Sequence, residues 1–314
     1  MSDLRVATYN LYLGADLSLL FDVGDPTVLL QHVATLREQL GQTDFSQRAR
    51  AIATILASER PHLVGLQEVA RWVLRAPSGE ETVVADFLPT LLAALDTAGT
   101  PYDVHAVAPG FGGGIVLPDG SWIGLTGDNA CLVRRDVTVT GERTGRFARE
   151  FRIDTGAGMA FPVGRSWGVV EVVVDDHPVV FAHTHTEAWD APVRDAQRDE
   201  LLAVLEDEQR PVVLVGDLNA TPREVGMPRS YLDAWTASGG DPQGGWTCGQ
   251  DGDLRNEESG LRERIDYVFV RGAQVSGCRV VGDGPGDRTS SGLWPSDHAG
   301  VVADLARGPK VVTA

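Results

Sequence analysis

The sequence predicts a layered α/β sandwich with largely antiparallel sheets, and three observations support this fold class. Short runs rich in β-branched residues recur along the whole chain and have the length of strands. Two stretches with helical periodicity, residues 45–59 and 191–208, each precede such a run. Consecutive strand-like runs occupy residues 130–183 between them. This mixture favours packed layers of antiparallel strands and helices over a doubly wound parallel sheet.

The elements follow in order along the chain. The strand-like runs are residues 5–10, 63–68, 130–134, 167–174, 179–183, 212–218, 265–271 and 300–305. The apolar residues that give the helical periodicity are Ala49, Ile52, Ala53, Ile55 and Leu56 in the first stretch and Leu201, Leu202, Val204 and Leu205 in the second. Residues 110–127 and 239–260 are rich in Gly and Asp and are predicted to be long loops. With no linker or repeat, residues 1–314 are predicted to form one domain.

Composition and charge narrow the class of protein. With 43% hydrophobic and 23% charged residues, the chain has the composition of an ordinary folded domain. The 27 Lys and Arg residues against 44 Asp and Glu residues give a formal charge of −17. Such a field repels polyanions, which disfavours a nonspecific nuclease. The excess of carboxylates is compatible with a divalent-metal site, although most acids on any protein are solvated surface groups.

The remaining composition gives few signals for targeting or thiol chemistry. The three cysteines are widely spaced and form no CxxC pair, so neither a thiolate zinc site nor a disulfide framework is predicted. The N-terminal residues lack the basic and apolar regions of a signal peptide. No apolar run approaches the roughly 20 residues of a membrane span. A cytoplasmic location is the default expectation, and the oligomeric state is left open.

Polar residues stand at the ends of four apolar strands, which predicts one shared site. Asn10, Glu68 and Asp217 each end such a run, and the pair Asp297–His298 directly precedes the last one. Asn219 lies two residues after Asp217, so both side chains face the same side of an extended chain. An Asx turn before Pro222 would explain the Asp217 to Asn219 segment equally well. Four strands that end in acids, amides and imidazole favour a polar site.

Two histidines complete the predicted chemistry. Hydrolysis of a phosphate ester needs a cation on the phosphoryl oxygens, a positioned water and an acid near the leaving oxygen. Mg²⁺ prefers one or two carboxylates with several waters, which makes Glu68 and Asp297 the natural ligands. His185 and His298 can act as acid and electrostatic stabiliser near neutral pH if carboxylate partners raise their pKa. A lone strand histidine is more often structural.

Six motifs in this order resemble the endonuclease/exonuclease/phosphatase superfamily, which includes pancreatic-type deoxyribonucleases, abasic-site endonucleases, neutral sphingomyelinases and inositol polyphosphate 5-phosphatases. The motifs are Tyr9-Asn10, Gln67-Glu68, Thr184-His185, Gly216-Asp217-Leu218-Asn219, Arg264-Ile265-Asp266-Tyr267 and Ser296-Asp297-His298. The resemblance spans Tyr9 to Asp304 and implies a four-layer α/β/β/α sandwich built on two mixed sheets.

The resemblance also implies a role for each matching residue. Glu68 would be the principal metal ligand, and Asn10 and Asp297 would complete the metal and phosphate surroundings. Asp217 and Asn219 would orient the attacking water and the phosphoryl group. His298, held by Asp266, would be the base or the transition-state stabiliser, and the choice between Asp217 and His298 as the general base stays open.

His185 matches the superfamily histidine that lies near the leaving group, and that histidine needs a carboxylate to orient it. Asp128, which precedes the middle strand, is the predicted partner, although a Gly-Asp turn would also explain its position. The resemblance includes one departure, because this chain has His183-Thr184-His185-Thr186 where many relatives have Asn-Thr-His-Leu. His183 is therefore a predicted substrate contact, with tolerated variation as the alternative explanation.

Further substrate contacts are predicted in the loops beside the motifs. Trp294 would offer an aromatic surface to the substrate. Arg255 and Arg288 would hold a second phosphate or a headgroup through bidentate contacts. Rim packing and surface salt bridges are the alternative explanations for these three residues.

The predicted function is Mg²⁺- or Mn²⁺-dependent hydrolysis of a small or lipid-like phosphoester. The acidic charge and the lack of a basic stripe favour such a substrate over nucleic acid. Three alternatives remain at this stage: a nuclease acting on DNA or RNA, a noncatalytic binding member, and a member recruited to other metal-assisted chemistry in a biosynthetic pathway. Loss of a site residue would indicate the noncatalytic member, and none of the expected residues is missing.

Overall fold

Two β-sheets lie face to face at the centre of the molecule. The computed structural model describes residues 4–20, 23–154 and 160–306. The strands are β1 Leu4–Asn10, β2 Leu63–Arg75, β3 Glu81–Asp86, β4 Tyr102–Val116, β5 Trp122–Arg134, β6 Thr138–Arg146, β7 Phe151–Asp154, β8 Ala160–Val163, β9 Ser166–Val174, β10 His177–His185, β11 Val212–Asp217, β12 Leu232–Asp233, β13 Asp266–Arg271, β14 Gln274–Val281 and β15 Gly300–Ala306. The helices are α1 Pro26–Gln42, α2 Phe45–Glu59, α3 Phe87–Thr97, α4 Ala191–Val204 and the short α5 Ala234–Ala237, with 3₁₀ turns at Leu17–Leu20 and Pro285–Asp287.

Each large sheet contains one parallel pair within an otherwise antiparallel arrangement. The first sheet has the order β14-β15-β1-β2-β5-β4, with β3 paired to β2, and its parallel pair is β1 with β2. The second sheet has the order β12-β13-β11-β10-β9-β6, and its parallel pair is β10 with β11. β7 and β8 form a separate two-stranded antiparallel sheet. The predicted fold class, an α/β/β/α sandwich with two mixed and largely antiparallel sheets, is confirmed.

The alternation of side chains along β11 explains the layers. Val213 and Val215 face the other sheet in the central core, whereas Val212 and Leu214 face α4 in an outer core. A strand buried on both faces has the continuous apolar sequence seen here. Helices α1, α2 and α3 cover the opposite sheet through a third core. The helices thus lie outside and the two sheets inside.

The sequence prediction was wrong for residues 110–127. They belong mostly to β4 and β5, a long antiparallel pair in which Phe111 faces Gly127 and Ile115 faces Ile123. All the glycines there except Gly120 lie in strands, because the strand backbone tolerates Gly where neighbouring elements approach closely. The other predicted loop, residues 239–260, contains no helix or strand. Among the described residues, no helix has both the length and the apolar character needed to cross a membrane.

Candidate active site

The two parallel pairs bring the predicted site residues to the same edge of the sandwich. Asn10 ends β1 opposite Gln67 of β2, and His185 ends β10 opposite Asp217 of β11. Asp217 also faces Asp266 at the start of the antiparallel strand β13. Because the carboxyl ends of parallel strands meet at one edge, the polar residues that follow them converge. The predicted convergence is therefore seen in the structure.

Asp217 is the most connected residue of this cluster. Its Oδ2 accepts a hydrogen bond of 3.0 Å from Asn10 Nδ2, and its Oδ1 accepts one of 2.9 Å from the Asn219 backbone N–H. His298 Nε2 lies 3.8 Å from Oδ2. Burial, followed by the nearby Asp266 carboxylate, raises the pKa of Asp217 to about 7, against the opposing influence of His298 and the two hydrogen bonds. Asp217 is thus a buried carboxylate at the centre of the site.

His298 is held by Asp266, as expected from the sequence. The Nδ1–H of the imidazole donates a 2.8 Å hydrogen bond to Asp266 Oδ2, so Nε2 is directed toward Asp217. Burial lowers the pKa of His298, but Asp266 and other neighbouring negative groups more than offset it, so the pKa lies well above its ordinary value. A buried carboxylate that fixes a histidine in this way also favours its protonated form.

His185 differs from His298 and from the sequence expectation. Its Nε2 accepts a 3.0 Å hydrogen bond from Asn219 Nδ2. Burial first, then the positive charges of Arg165 and His298, lower its pKa well below the ordinary value. The expectation that carboxylates raise the pKa of both histidines is therefore wrong for His185. The same Nε2 lies 3.5 Å from Asp217 Oδ2, so His185 also contacts the central carboxylate.

Asp128 does not orient His185 in this structure. Its Oδ1 accepts a 3.2 Å hydrogen bond from the Gly110 backbone N–H, and burial raises its pKa. Among the described residues, no hydrogen bond or ion pair joins Asp128 to His185. The side chain instead ties β5 to β4 beside the cleft.

Glu68 and Asp297 face a common cleft and fit a hard cation. Both line a hollow with about 870 Å³ of empty space, including its open mouth, together with His185 and Arg165. Burial raises the pKa of Asp297 to about 6; His298 opposes this effect, and the charge of Glu68 adds to it. Two carboxylates that repel each other across a cleft form the oxygen ligand set that Mg²⁺ or Mn²⁺ prefers.

The local backbone directs Glu68 into the cleft. The residue has a left-handed φ of 54° at an irregularity where β2 departs from regular pairing with β5. Its Oε2 accepts a 2.7 Å hydrogen bond from the Leu13 backbone N–H. Because a non-glycine residue rarely adopts this conformation, the strain is typical of functional sites.

A second group of potential ligand atoms lies deeper. One ligand atom from each of Asp217, Asp266 and His298 lies within 4.8 Å of the others. Within this group the hydrogen bond to Asp266 occupies His298 Nδ1, so His298 would offer Nε2 to an ion. Asn10, also predicted as a ligand, uses Nδ2 on Asp217 and Oδ1 on the Tyr12 backbone N–H. Its amide therefore orients Asp217 in this structure.

A buried arginine supports the loops that carry these residues. Arg48 of α2 has no exposed surface, and it donates to the backbone oxygens of Leu11, Tyr12 and Pro295 at 2.6, 3.2 and 3.0 Å. Burial lowers its pKa to about 10, while Asp297 leads the groups that oppose this effect. The guanidinium thus joins the segment after Asn10 to the segment before Asp297. Its hydrogen bonds fix the relative position of the two loops.

Sequence reasoning missed Arg165, whose side chain lines the cleft and is 9% exposed. Its Nε lies 3.7 Å from Glu187 Oε2, and that carboxylate holds the loop carrying Trp189 through hydrogen bonds from two backbone N–H groups. Arg165 immediately precedes β9, whose first residue pairs with His185. This position, one residue before a strand adjacent to a site strand, is the signal that could have identified it.

Four of the predicted substrate contacts lie outside the cleft. Trp294 is fully buried, and its Nε1–H donates to the Asn256 backbone oxygen. Arg288 stacks on the Trp294 ring and donates to loop carbonyls, one of them the backbone oxygen of exposed Arg255.

The fourth predicted contact is His183. It has no exposed surface, and its Nε2 lies 3.1 Å from the Ala106 backbone oxygen between the sheets. Burial lowers its pKa to about 4, with the contact to Ala106 opposing the effect. His183 is therefore a neutral core residue below the site, on the same strand face as His185 but deeper.

Comparison with known proteins agrees with the fold. The model of the Endonuclease/Exonuclease/phosphatase family matches residues 7–298. No curated protein has significant sequence similarity to the chain.

Solved structures with the same fold cover almost the full length of both chains. Truncated TDP2 of Caenorhabditis elegans is 21% identical with a TM-score of 0.58, covering 97% of this chain and 98% of that one. D. rerio TDP2, complexed with single strand DNA product, is 17% identical with a TM-score of 0.62 and coverage of 98% and 100%. A family protein from Bacteroides thetaiotaomicron is 16% identical with a TM-score of 0.62 and coverage of 98% and 99%.

Proposed function

The chain belongs to the Endonuclease/Exonuclease/phosphatase family of divalent-metal-dependent phosphoesterases, and on that premise we propose that it hydrolyses a phosphoester by attack of water. One observation carries the proposal. Asp217, with the His298–Asp266 and Asn219–His185 pairs beside it, lies at the sandwich edge where Glu68 and Asp297 face an open cleft.

The side chains divide the work of binding and proton transfer. Asp217, fixed by hydrogen bonds from Asn10 and Asn219, orients the attacking water and accepts its proton. His298, oriented by Asp266, donates a hydrogen bond from Nε2 to a phosphoryl oxygen and stabilises the charge that develops there. His185 and Arg165 line the cleft near the phosphate, and the Arg165 guanidinium suits a phosphoryl oxygen.

The metal would be held by Glu68 and Asp297. A bound Mg²⁺ or Mn²⁺ would supply positive charge to the phosphoryl and leaving oxygens of the substrate. Such a cation would offset the burial and the Glu68 charge that together raise the pKa of Asp297. Arg48 holds the segment after Asn10 and the segment before Asp297 in place through hydrogen bonds to Leu11 and Pro295.

We favour a small or lipid-like phosphoester over nucleic acid as the substrate. The formal charge of −17 disfavours binding of a polyanion, which depends on cationic contacts to phosphates. A nuclease is the second candidate, because D. rerio TDP2 of the same fold is complexed with single strand DNA product.

A panel of phosphoesters assayed with Mg²⁺ and with EDTA tests the proposal. It contains a chromogenic phosphodiester, a sugar phosphate, sphingomyelin, plasmid DNA and single-stranded DNA. We expect turnover of a small or lipid phosphoester that stops in EDTA. Nicking of DNA that requires Glu68 and His298, without turnover of the other compounds, would favour the nuclease. No Mg²⁺- or Mn²⁺-dependent turnover of any compound would overturn the proposal.

A further inference from the structure

A second hollow opens beside the catalytic cleft, and its walls are almost entirely carbon. It contains about 630 Å³ of empty space, including its open mouth. We call it the apolar hollow. Its side-chain walls come from the first 3₁₀ turn and from α1, β2, β4, β5 and β7: Leu17, Leu20, Val33, Leu36, Trp72, Phe111, Ile115, Ile123, Leu125 and Ile153.

The apolar hollow and the catalytic cleft share a wall. Leu17, Phe111 and Ile153 line both spaces. The cleft continues from that wall to Glu68 and Arg165. The combined surface is therefore charged at one end and apolar at the other. A ligand that spans it must carry an anionic group and a hydrocarbon part.

The sequence of β4 creates part of the hollow. Phe111, Gly113 and Ile115 alternate onto one face of the strand, as residues two apart do. Gly113 contributes no side chain between its two large neighbours. Gly112, one residue earlier, belongs to the opposite face, where an added Cβ would meet only Thr126 at 3.6 Å. A side chain added at Gly113 therefore fills the hollow, whereas one added at Gly112 changes the same strand without filling it.

We propose that the apolar hollow holds the hydrocarbon chain of the substrate while its phosphoester lies in the catalytic cleft. This inference rests on the proposed function and specifies the substrate class as an amphipathic phosphoester with one extended alkyl or acyl chain. The apolar lining and the wall that it shares with the cleft favour a hydrocarbon chain attached to the phosphoester. A nucleic acid would place charged phosphates and sugars against them, at a cost in desolvation.

The test uses p-nitrophenyl phosphodiesters whose second ester group is methyl, butyl or octyl, assayed with Mg²⁺ below their aggregation concentrations. Burial of each methylene should raise kcat/KM about two- to fourfold until the chain fills the hollow. Gly113→Leu should lower the ratio of kcat/KM for the octyl ester to that for the methyl ester at least about tenfold. It should leave kcat/KM for the methyl ester unchanged. Gly112→Leu, the matched control, should retain the wild-type chain-length dependence.

Binding of octyl phosphate, measured by calorimetry without metal, gives a second readout. It should be tighter than binding of methyl phosphate in wild type and be weakened by Gly113→Leu. If Gly113→Leu does not fold, Ile115→Asp replaces it, with Val116→Asp as control because Val116 is 67% exposed.

The outcomes separate the two proposals. Equal kcat/KM for all three esters, or equal loss in both glycine variants, would overturn the hydrocarbon site while leaving phosphoester hydrolysis intact. Chain-length-dependent binding of octyl phosphate without hydrolysis of any ester would support the hollow and count against the proposed function. Octyl phosphate binding that Gly113→Leu does not weaken would mean that the chain lies elsewhere.

Discussion

Two histidines on the same face of β10 show how depth decides the role of a residue. His183 lies between the sheets against the Ala106 backbone oxygen, whereas His185 reaches the cleft and accepts from Asn219. Alternation along the strand predicts their common face. It contains no information on how far the neighbouring strands extend over each side chain, so the sequence could not separate the core histidine from the site histidine.

The buried His183 should make stability depend on pH. Its pKa is about 4 in the fold against 6.5 unperturbed, so the unfolded chain binds the proton more tightly. Above about pH 7, His183 should have no effect on the free energy of unfolding. As the pH falls to about 4, it should lower that free energy by about 3 kcal/mol. Urea unfolding of wild type and His183→Gln between pH 4.5 and 8 checks this. The curves should run parallel above pH 7 and diverge below 6.5; parallel curves throughout would refute it.

Glu68→Gln should weaken metal affinity and turnover together. The substitution keeps the shape of the side chain and removes one of the two charges that attract the cation. We expect the Mg²⁺ concentration for half-maximal activity to rise about 10- to 100-fold. Titrations of activity with Mg²⁺ and of Mn²⁺ binding measure the effect. Glu80→Gln, at an exposed position, is the control. An unchanged metal dependence would remove Glu68 from the ligand set.

His298→Ala should lower turnover with metal affinity nearly unchanged. The imidazole is directed toward Asp217 and is oriented by Asp266, so its loss removes transition-state stabilisation. We expect kcat to fall about 10²- to 10⁴-fold. The same metal titration is the readout. A loss of metal affinity as large as that of Glu68→Gln would reverse the two assignments.

At the scale of elements, the sequence predicts two of the strand ends that position the site. The apolar runs that stop at Asn10 and Asp217 are strands that end there. The predicted end at Glu68 was wrong, because β2 continues to Arg75 through the irregularity that carries Glu68. The missed elements include α1 and the long pair β4 and β5. Glycines in the pair resemble a loop in sequence, but the ladder between the two strands stabilises an extended backbone whatever the local propensity.

Gly216 is needed for the end of β11. Its φ is 150°, and a Cβ there would lie 2.0 Å from the Thr184 backbone oxygen of the paired strand. Gly216→Ala should therefore destabilise the protein by about 2–4 kcal/mol and lower activity, since Asp217 follows directly. Gly41→Ala in α1, with nothing within 4 Å of the added Cβ, should change stability by less than about 1 kcal/mol. Chemical denaturation of both variants decides, and equal effects would contradict the argument.

At the scale of the whole molecule, sequence order predicts the architecture and the polar cluster, whereas the surroundings of the cleft depend on packing. Asp217, Asp266 and His298 meet as predicted, because each lies at a defined strand end. Trp294 and Arg288 were predicted to contact substrate, but they stack on each other away from the cleft. Loop side chains lack the periodicity that fixes strand residues. The sequence did not predict Arg165 in the cleft for the same reason, because Arg165 precedes β9 and lies outside the strand.

The most direct test of the central claim is hydrolysis of the methyl p-nitrophenyl phosphodiester by wild type and Asp217→Asn, in EDTA and after Mg²⁺ is added back. Wild type should be inactive in EDTA and recover with Mg²⁺. Asp217→Asn should stay folded by circular dichroism and remain at least about 10³-fold slower with Mg²⁺ present. Hydrolysis that persists in EDTA, or an Asp217→Asn variant with near wild-type turnover, would contradict a metal-dependent phosphoesterase centred on Asp217.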